Sequence, residues 1–182
     1  MGEELPDRAG WIMGTEFATG REKIGVSRRH RKGVFRGIHF DEGAVNGMAV
    51  FQSLEEARAY FEGDRFALEN GVTLDAISDC GAVCSMALSE RHRNAEGGVM
   101  GGAIFTLIDL AFAAAANNVH KPTVAQQVSM NFLSGSRGTR LTATASCRKD
   151  GRNSCVYNVD VTDDLGRDIA QAVITGFKIQ PR

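Results

Sequence analysis

Apolar positions recur along this chain in more than one rhythm, and each rhythm predicts a different element. Ser53 followed by Leu54-Glu55-Glu56-Ala57 has the form of a capping box, a hydroxyl at the helix start and a Glu three residues on. Ala57, Tyr60 and Phe61 then follow at helical spacing, so a short helix is predicted that ends near Gly63. After the turn signal Asn70-Gly71, Val72-Thr73-Leu74 and Ala82 to Leu88 read as strand, interrupted at Gly81, as one long bent strand or two short ones. Further on, Leu141, Ala143, Ala145 and Cys147 alternate with Thr142, Thr144 and Ser146, the period of a half-buried strand. A turn at Lys149-Asp150-Gly151-Arg152 leads to Cys155, Tyr157, Val159 and Val161, which alternate with Val156, Asn158 and Asp160. After Asp163-Asp164-Leu165-Gly166 a last strand runs from about Asp168 to Ile179. With Val124 to Phe132 ahead of them, these segments predict a run of antiparallel strands whose short turns let neighbours pair directly.

Between the two strand regions lies a segment with no polar face. Gly101 to Asn117 is good helix-forming material, apolar all round and about 25 Å long at 1.5 Å per residue. That is too short to span a bilayer, and a helix of this kind must be covered on every side. A sheet wrapped around it, with a further surface such as a second subunit closing what remains, is the consistent solution. One long helix followed by antiparallel strands is an α+β arrangement.

Composition bounds this picture without changing it. The chain has 182 residues, 43% hydrophobic and 24% charged, enough for one domain with some spare length. Residues 1–47 differ in character: they are rich in Gly and charge, carry a basic cluster from Ser27 to Lys32, and predict a poorly ordered extension before a domain over 48–182. A net charge of -1 provides no field to recruit nucleic acid or an anionic membrane, and the short basic cluster reads as a solvated tail. Glu3, Glu4 and Asp7 stand where an export signal would be basic and then apolar, so a cytoplasmic location with reduced thiols is expected. Cys80 and Cys84 flank Gly-Ala-Val, but no second His or Cys pair follows at finger-like spacing, which favours buried small apolar side chains over a metal site.

The candidate chemistry sits on the apolar helix. Asp109 is its one charged residue, and a buried carboxylate costs several kcal/mol unless it is paired, hydrogen-bonded or protonated. It is either an edge residue that reaches solvent or a neighbouring strand, or a general base or nucleophile tuned by its surroundings. Gly97-Gly98 and Gly101-Gly102 flank Val99-Met100 at the helix start, where free N–H groups and the positive end of the helix dipole point outward. Such a mouth suits stabilisation of negative charge on a carbonyl oxygen; the alternative is that the glycines only turn the chain and let the helix pack close to the sheet.

Asn94-Ala95-Glu96-Gly97-Gly98-Val99-Met100-Gly101-Gly102, continuing to Asp109, resembles the signature of the phenylacetic-acid-degradation (PaaI-like) branch of hot-dog thioesterases. The usual form is Asn, then His-Gly-Gly beginning six residues on, then Asp or Glu nine after the His; both spacings are kept. The resemblance covers about residues 66 to 179, including Asn131-Phe132-Leu133, Gly151-Arg152 and the Asp164-Leu165-Gly166 turn. It implies a hot-dog fold, an antiparallel sheet around one central helix, and hydrolysis of acyl-coenzyme A without a further cofactor or metal. It also implies roles: Asp109 activates water or attacks the thioester, Asn94 positions water or substrate, and the Gly101 N–H polarises the carbonyl. Met100 stands where the family commonly has His, and it can neither donate a strong hydrogen bond nor take a proton. Met100 and Gly102 would then face an apolar acyl group. Homodimers or homotetramers with sites between subunits are implied too, for which Gln127 and Ser129 are candidates from the opposite chain, although a polar strand face ordinarily faces solvent. Arg137, Arg148 and Arg152 are candidates for the coenzyme A phosphates, or ordinary basic turns.

Two other readings remain at this stage. A non-catalytic acyl-CoA-binding or regulatory module would fit the missing His, whereas a dehydratase needs a His paired with a carboxylate. None of His30, His39, His92 or His120 has that setting, and His92, in an Arg-His-Arg loop, is expected to be solvated.

Overall fold

The Ser53 hydroxyl accepts the Glu56 N–H at 3.1 Å, and the Glu56 carboxylate reaches back to the Gln52 N–H at 2.7 Å. The first helix, α1 (Leu54–Phe61), is therefore capped as its sequence predicts, except that the Glu binds one residue further back. This computed structural model describes residues 49–180; the extension expected over 1–47, with its basic cluster, lies outside the described residues. A second helix, α2 (Arg65–Glu69), follows immediately, too short for a periodic signal to have registered in the sequence. The next apolar segment is two strands, β1 (Val72–Ser78) and β2 (Gly81–Ala87), joined at Asp79-Cys80.

The long helix, α3, spans Gly101–Val119 and is followed by β3 (Thr123–Phe132), β4 (Arg140–Asp150), β5 (Ser154–Asp163) and β6 (Asp168–Lys178). All six strands form one antiparallel sheet in the order β1-β2-β4-β5-β6-β3. The expected neighbour pairing holds for β4, β5 and β6 but not for β3, which pairs with β6 at the sheet edge. The reason lies in residues 133–139, which carry the chain from that edge to the middle of the sheet. They are pinned there by the next turn: Ser136 Oγ donates to Asp163 Oδ2 at 3.0 Å, and the Thr139 N–H donates to Asp164 Oδ1 at 2.9 Å.

The sheet wraps around α3, which touches every strand. Leu107, Ile108, Ala111, Ala114 and Ala115 are fully buried against Cys84, Met86, Leu141, Ala143, Tyr157, Val159 and Ile174. The alanines let the concave sheet approach, and Phe112 meets the Tyr157 ring edge-on at 5.5 Å. Truncating Leu107 to Ala in such a setting costs about 2–5 kcal/mol. By length and composition α3 passes as a membrane span once it extends to Val119, so shortness does not decide the matter; its burial in the sheet does. Its far end is fixed by side chains, with Asn118 Oδ1 accepting the Phe51 N–H at 3.0 Å and Asn117 Oδ1 the Thr123 N–H at 2.9 Å.

One stripe of α3 is left open by the described residues. Gly102, Phe105 and Asp109, spaced three and then four residues apart, are exposed, so the sheet does not cover the helix all round.

Candidate active site

The mouth of α3 is shaped by Asn94 and His92. Asn94 Oδ1 accepts the N–H groups of Glu96 and Gly98, each at 3.0 Å, while the Asn94 N–H donates to the Gly98 carbonyl at 2.8 Å. Gly97 sits at φ +75°, a conformation that glycine adopts without steric cost. His92 is not solvated as expected; it is 3% exposed. Its Nδ1 accepts the Ser89 N–H at 2.9 Å, which leaves the proton on Nε2 to donate to the Asn70 carbonyl at 2.9 Å. Both ring nitrogens are thus satisfied, and the ring ties the loop to the β1 turn. The His92 carbonyl in turn accepts the Met100 N–H at 2.8 Å.

Met100, the N-cap residue of α3, makes no side-chain capping bond to it. The N–H groups of its first turn, which have no partner within a helix, therefore point outward at Gly101 and Gly102. A Cβ on Gly101 would stand 2.9 Å from Phe132 Cζ, because the Phe132 ring reaches from β3 across the helix start. Gly101 lines a cleft of about 410 Å³ with Val99, Ile104, Phe132 and residues 133–136. Met100 is exposed and lies over Gly102.

Asp109 lies two turns further along, about 12 Å down the axis. It opens onto a different space, a cavity of about 540 Å³ lined by the α1–α2 turn, α2, Phe105, Thr106 and Leu110. Of the two settings the sequence left open for Asp109, the chain places it on the open stripe at the helix edge, because the sheet faces the opposite side of the helix. Its carboxyl is still short of water in the cavity. That loss of hydration raises its pKa above the usual aspartate value, and the nearby charge of Asp64 raises it further. Asp64, in the α1–α2 turn, is itself raised by desolvation.

The structure brings together some of the candidates and separates others. Asn94, Met100, Gly101 and Gly102 form one mouth, and Arg137 follows directly on Ser136, which lines the same cleft. Gln127 and Ser129 pair with Thr175 and Val173, so strand alternation turns them to the face of the sheet away from α3, and within this chain they touch neither cavity. Arg148 and Arg152 lie at the far end of β4 and in the turn beyond it, near the C-terminal half of α3 and remote from Gly101. Of the cysteines, Cys84 and Cys155 are buried, but Cys80 is exposed, because it occupies the β1–β2 turn.

Sequence reasoning missed Asp64, Arg65, Phe66, Phe105 and Thr106, which surround Asp109. Phe105 and Thr106 could have been found by counting one helical turn back from Asp109. The α1–α2 turn is brought there by tertiary folding and left no local signal.

The chain matches the family described as Thioesterase superfamily over residues 96–170. It is similar to the acyl-coenzyme A thioesterase PaaI of Escherichia coli (strain K12), with 31% identity over 117 residues, which is 64% of this chain and 84% of that protein. The solved structure of E. coli PaaI superposes with a TM-score of 0.65 at 28% identity, covering 68% of this chain and 91% of that one. A hypothetical thioesterase from Streptococcus pneumoniae TIGR4, solved with coenzyme A, gives a TM-score of 0.62 at 25% identity, covering 67% and 98%. The six-stranded antiparallel sheet around one apolar helix is the hot-dog fold of these relatives.

Proposed function

This chain belongs to the PaaI-like thioesterases of hot-dog fold, and from that premise we propose that it hydrolyses acyl-coenzyme A to a free acid and coenzyme A. The observation that carries the reading is Asp109, a carboxyl on the open stripe of an otherwise apolar helix, held in a cavity that raises its proton affinity. In this reaction Asp109 takes a proton from water as the water oxygen bonds to the thioester carbon. The C–S bond then breaks, and the proton passes to the departing thiolate. The Gly101 N–H donates to the carbonyl oxygen as negative charge develops there, with the helix dipole aligned to help. A nucleophilic Asp109, attacking the carbonyl itself, would use the same placement.

Gly101 and Asp109 of one chain open onto separate cavities. We therefore assign each working site to two chains of a homodimer, the glycine mouth of one facing the carboxyl of the other. Asn94 shapes that mouth through its two accepted N–H groups, and Arg137, beside the cleft, is the basic candidate best placed for a coenzyme A phosphate.

Met100 favours one second reading, binding of acyl-CoA without turnover, since the side chain at the helix start has no proton to offer. Release of free thiol from a panel of acyl-CoAs by the full chain separates the two. Hydrolysis that Asp109→Asn removes, and that Met100→His changes only modestly, supports the enzyme. Tight binding with no thiol release would establish the module instead, and undiminished turnover by Asp109→Asn would overturn the role of Asp109.

A further inference from the structure

The cavity of Asp109 contains a second carboxyl that thioester hydrolysis as described leaves unused. Asp64 stands immediately before α2, where an aspartate ordinarily turns back to accept an N–H of the first helical turn. Its side chain makes no such bond, and the α2 start is served instead by the Asp64 main-chain carbonyl, which accepts the Ala67 and Leu68 N–H groups at 3.0 and 3.1 Å. Asp64 lines the same cavity as Asp109. Asp64 and Arg65, the other charged residues of that lining, are both exposed to solvent at its α2 side, and α3 carries no charge besides Asp109.

We propose that Asp64 is a positioning residue for the hydrolysis, a second carboxylate set beside Asp109 that makes it a stronger base toward water. This rests on Asp109 being the base of the reaction proposed above. Two like charges lining one cavity repel each other, and the cheapest relief is for one of them to hold a proton more tightly. A carboxylate with greater proton affinity takes the proton of an attacking water more readily. The directions agree, since burial raises both groups and the Asp64 charge adds to Asp109.

Asp64→Asn in the full chain is the test, because Asn is as good as Asp at a helix start and preserves the local fold. Two readouts are needed. The first is the titration of the Asp109 carboxyl followed by carbon-13 NMR, which requires no turnover. Its midpoint should fall in Asp64→Asn, and a midpoint that stays put overturns the proposal. The second is kcat/KM against pH for an acyl-CoA. The acidic limb should shift to lower pH while the plateau rate drops several-fold. A limb that does not follow the NMR midpoint overturns the role in hydrolysis. Failure of the underlying reading looks different: Asp109→Asn would then retain full turnover, although Asp64→Asn still lowered the Asp109 midpoint seen by NMR.

Discussion

Gly101 and Phe132 meet at the mouth of α3, where a Cβ on the glycine would stand 2.9 Å from the ring Cζ. The ring belongs to an edge strand and is 56% exposed, so it can swing aside. Gly101→Ala is therefore expected to leave the melting temperature nearly unchanged. The added methyl crowds the N–H that would meet the thioester carbonyl, and turnover should fall by roughly 100-fold, the scale of losing one such donor. Thermal unfolding and thiol release on the same preparation check this, and an Ala variant with ordinary rates would remove Gly101 from the chemistry.

Asp109 should show a conflict between stability and activity. Its folded pKa is raised by desolvation and by Asp64, so the folded chain binds the proton more tightly than the unfolded one. Stability at this group is then greatest at low pH and falls as pH rises from the unfolded pKa through the folded one. Asp109→Asn removes that cost. The variant should melt higher than the parent at neutral pH and alike below the unfolded pKa, while losing hydrolysis. A lower melting temperature at neutral pH would mean that the carboxylate is a structural partner instead.

The helix, the β4–β5–β6 meander and the glycine mouth were legible because their signals are local: an apolar run, strict alternation, and glycines beside it. The position of β3 was not, since pairing Ser129 with Val173 depends on where residues 133–139 lead and not on any pattern within the strand. The same limit applied to the site. Asp109 stood out as one charge in an apolar helix, but the sequence could not tell that the stripe it shares with Phe105 faces away from the sheet. Asp64 and Phe66 reach it only through the turn of the chain at Gly63. His92 misled in the opposite direction, because its charged neighbours suggested solvent while its two ring partners, Ser89 and Asn70, lie on separate parts of the chain.

Asp163 holds the 133–139 crossover in place. One oxygen accepts the Ser136 hydroxyl, and the other accepts the N–H groups of Leu165 and Arg167 at 3.1 and 3.0 Å. Although desolvation opposes ionisation, these donors prevail and hold its pKa below the usual aspartate value. The stability they supply is complete above the unfolded pKa and is lost as pH falls through the folded one. Asp163→Ala should cost about 2 kcal/mol at neutral pH, the scale of hydrogen bonds to a charged group, and the deficit should shrink in acid. Urea unfolding at two pH values measures it; a deficit independent of pH would point to packing alone.

The division of the site between chains can be read by mixing two inactive proteins. If Gly101 of one chain serves Asp109 of the other, a heterodimer of Asp109→Asn with Gly101→Ala has one site bearing both changes and one bearing neither. Random reassortment after mild unfolding gives half heterodimers, each with one sound site in two, so about a quarter of the parent activity should return. If both residues serve the same site from one chain, every site in the mixture carries one defect and nothing returns. Sedimentation or light scattering gives the mass that must accompany the result, near twice the 19.6 kDa of one chain or a multiple of that pair. Recovery without a dimeric mass is impossible on this scheme, and a dimeric mass without recovery would place Gly101 and Asp109 in one site within a single chain.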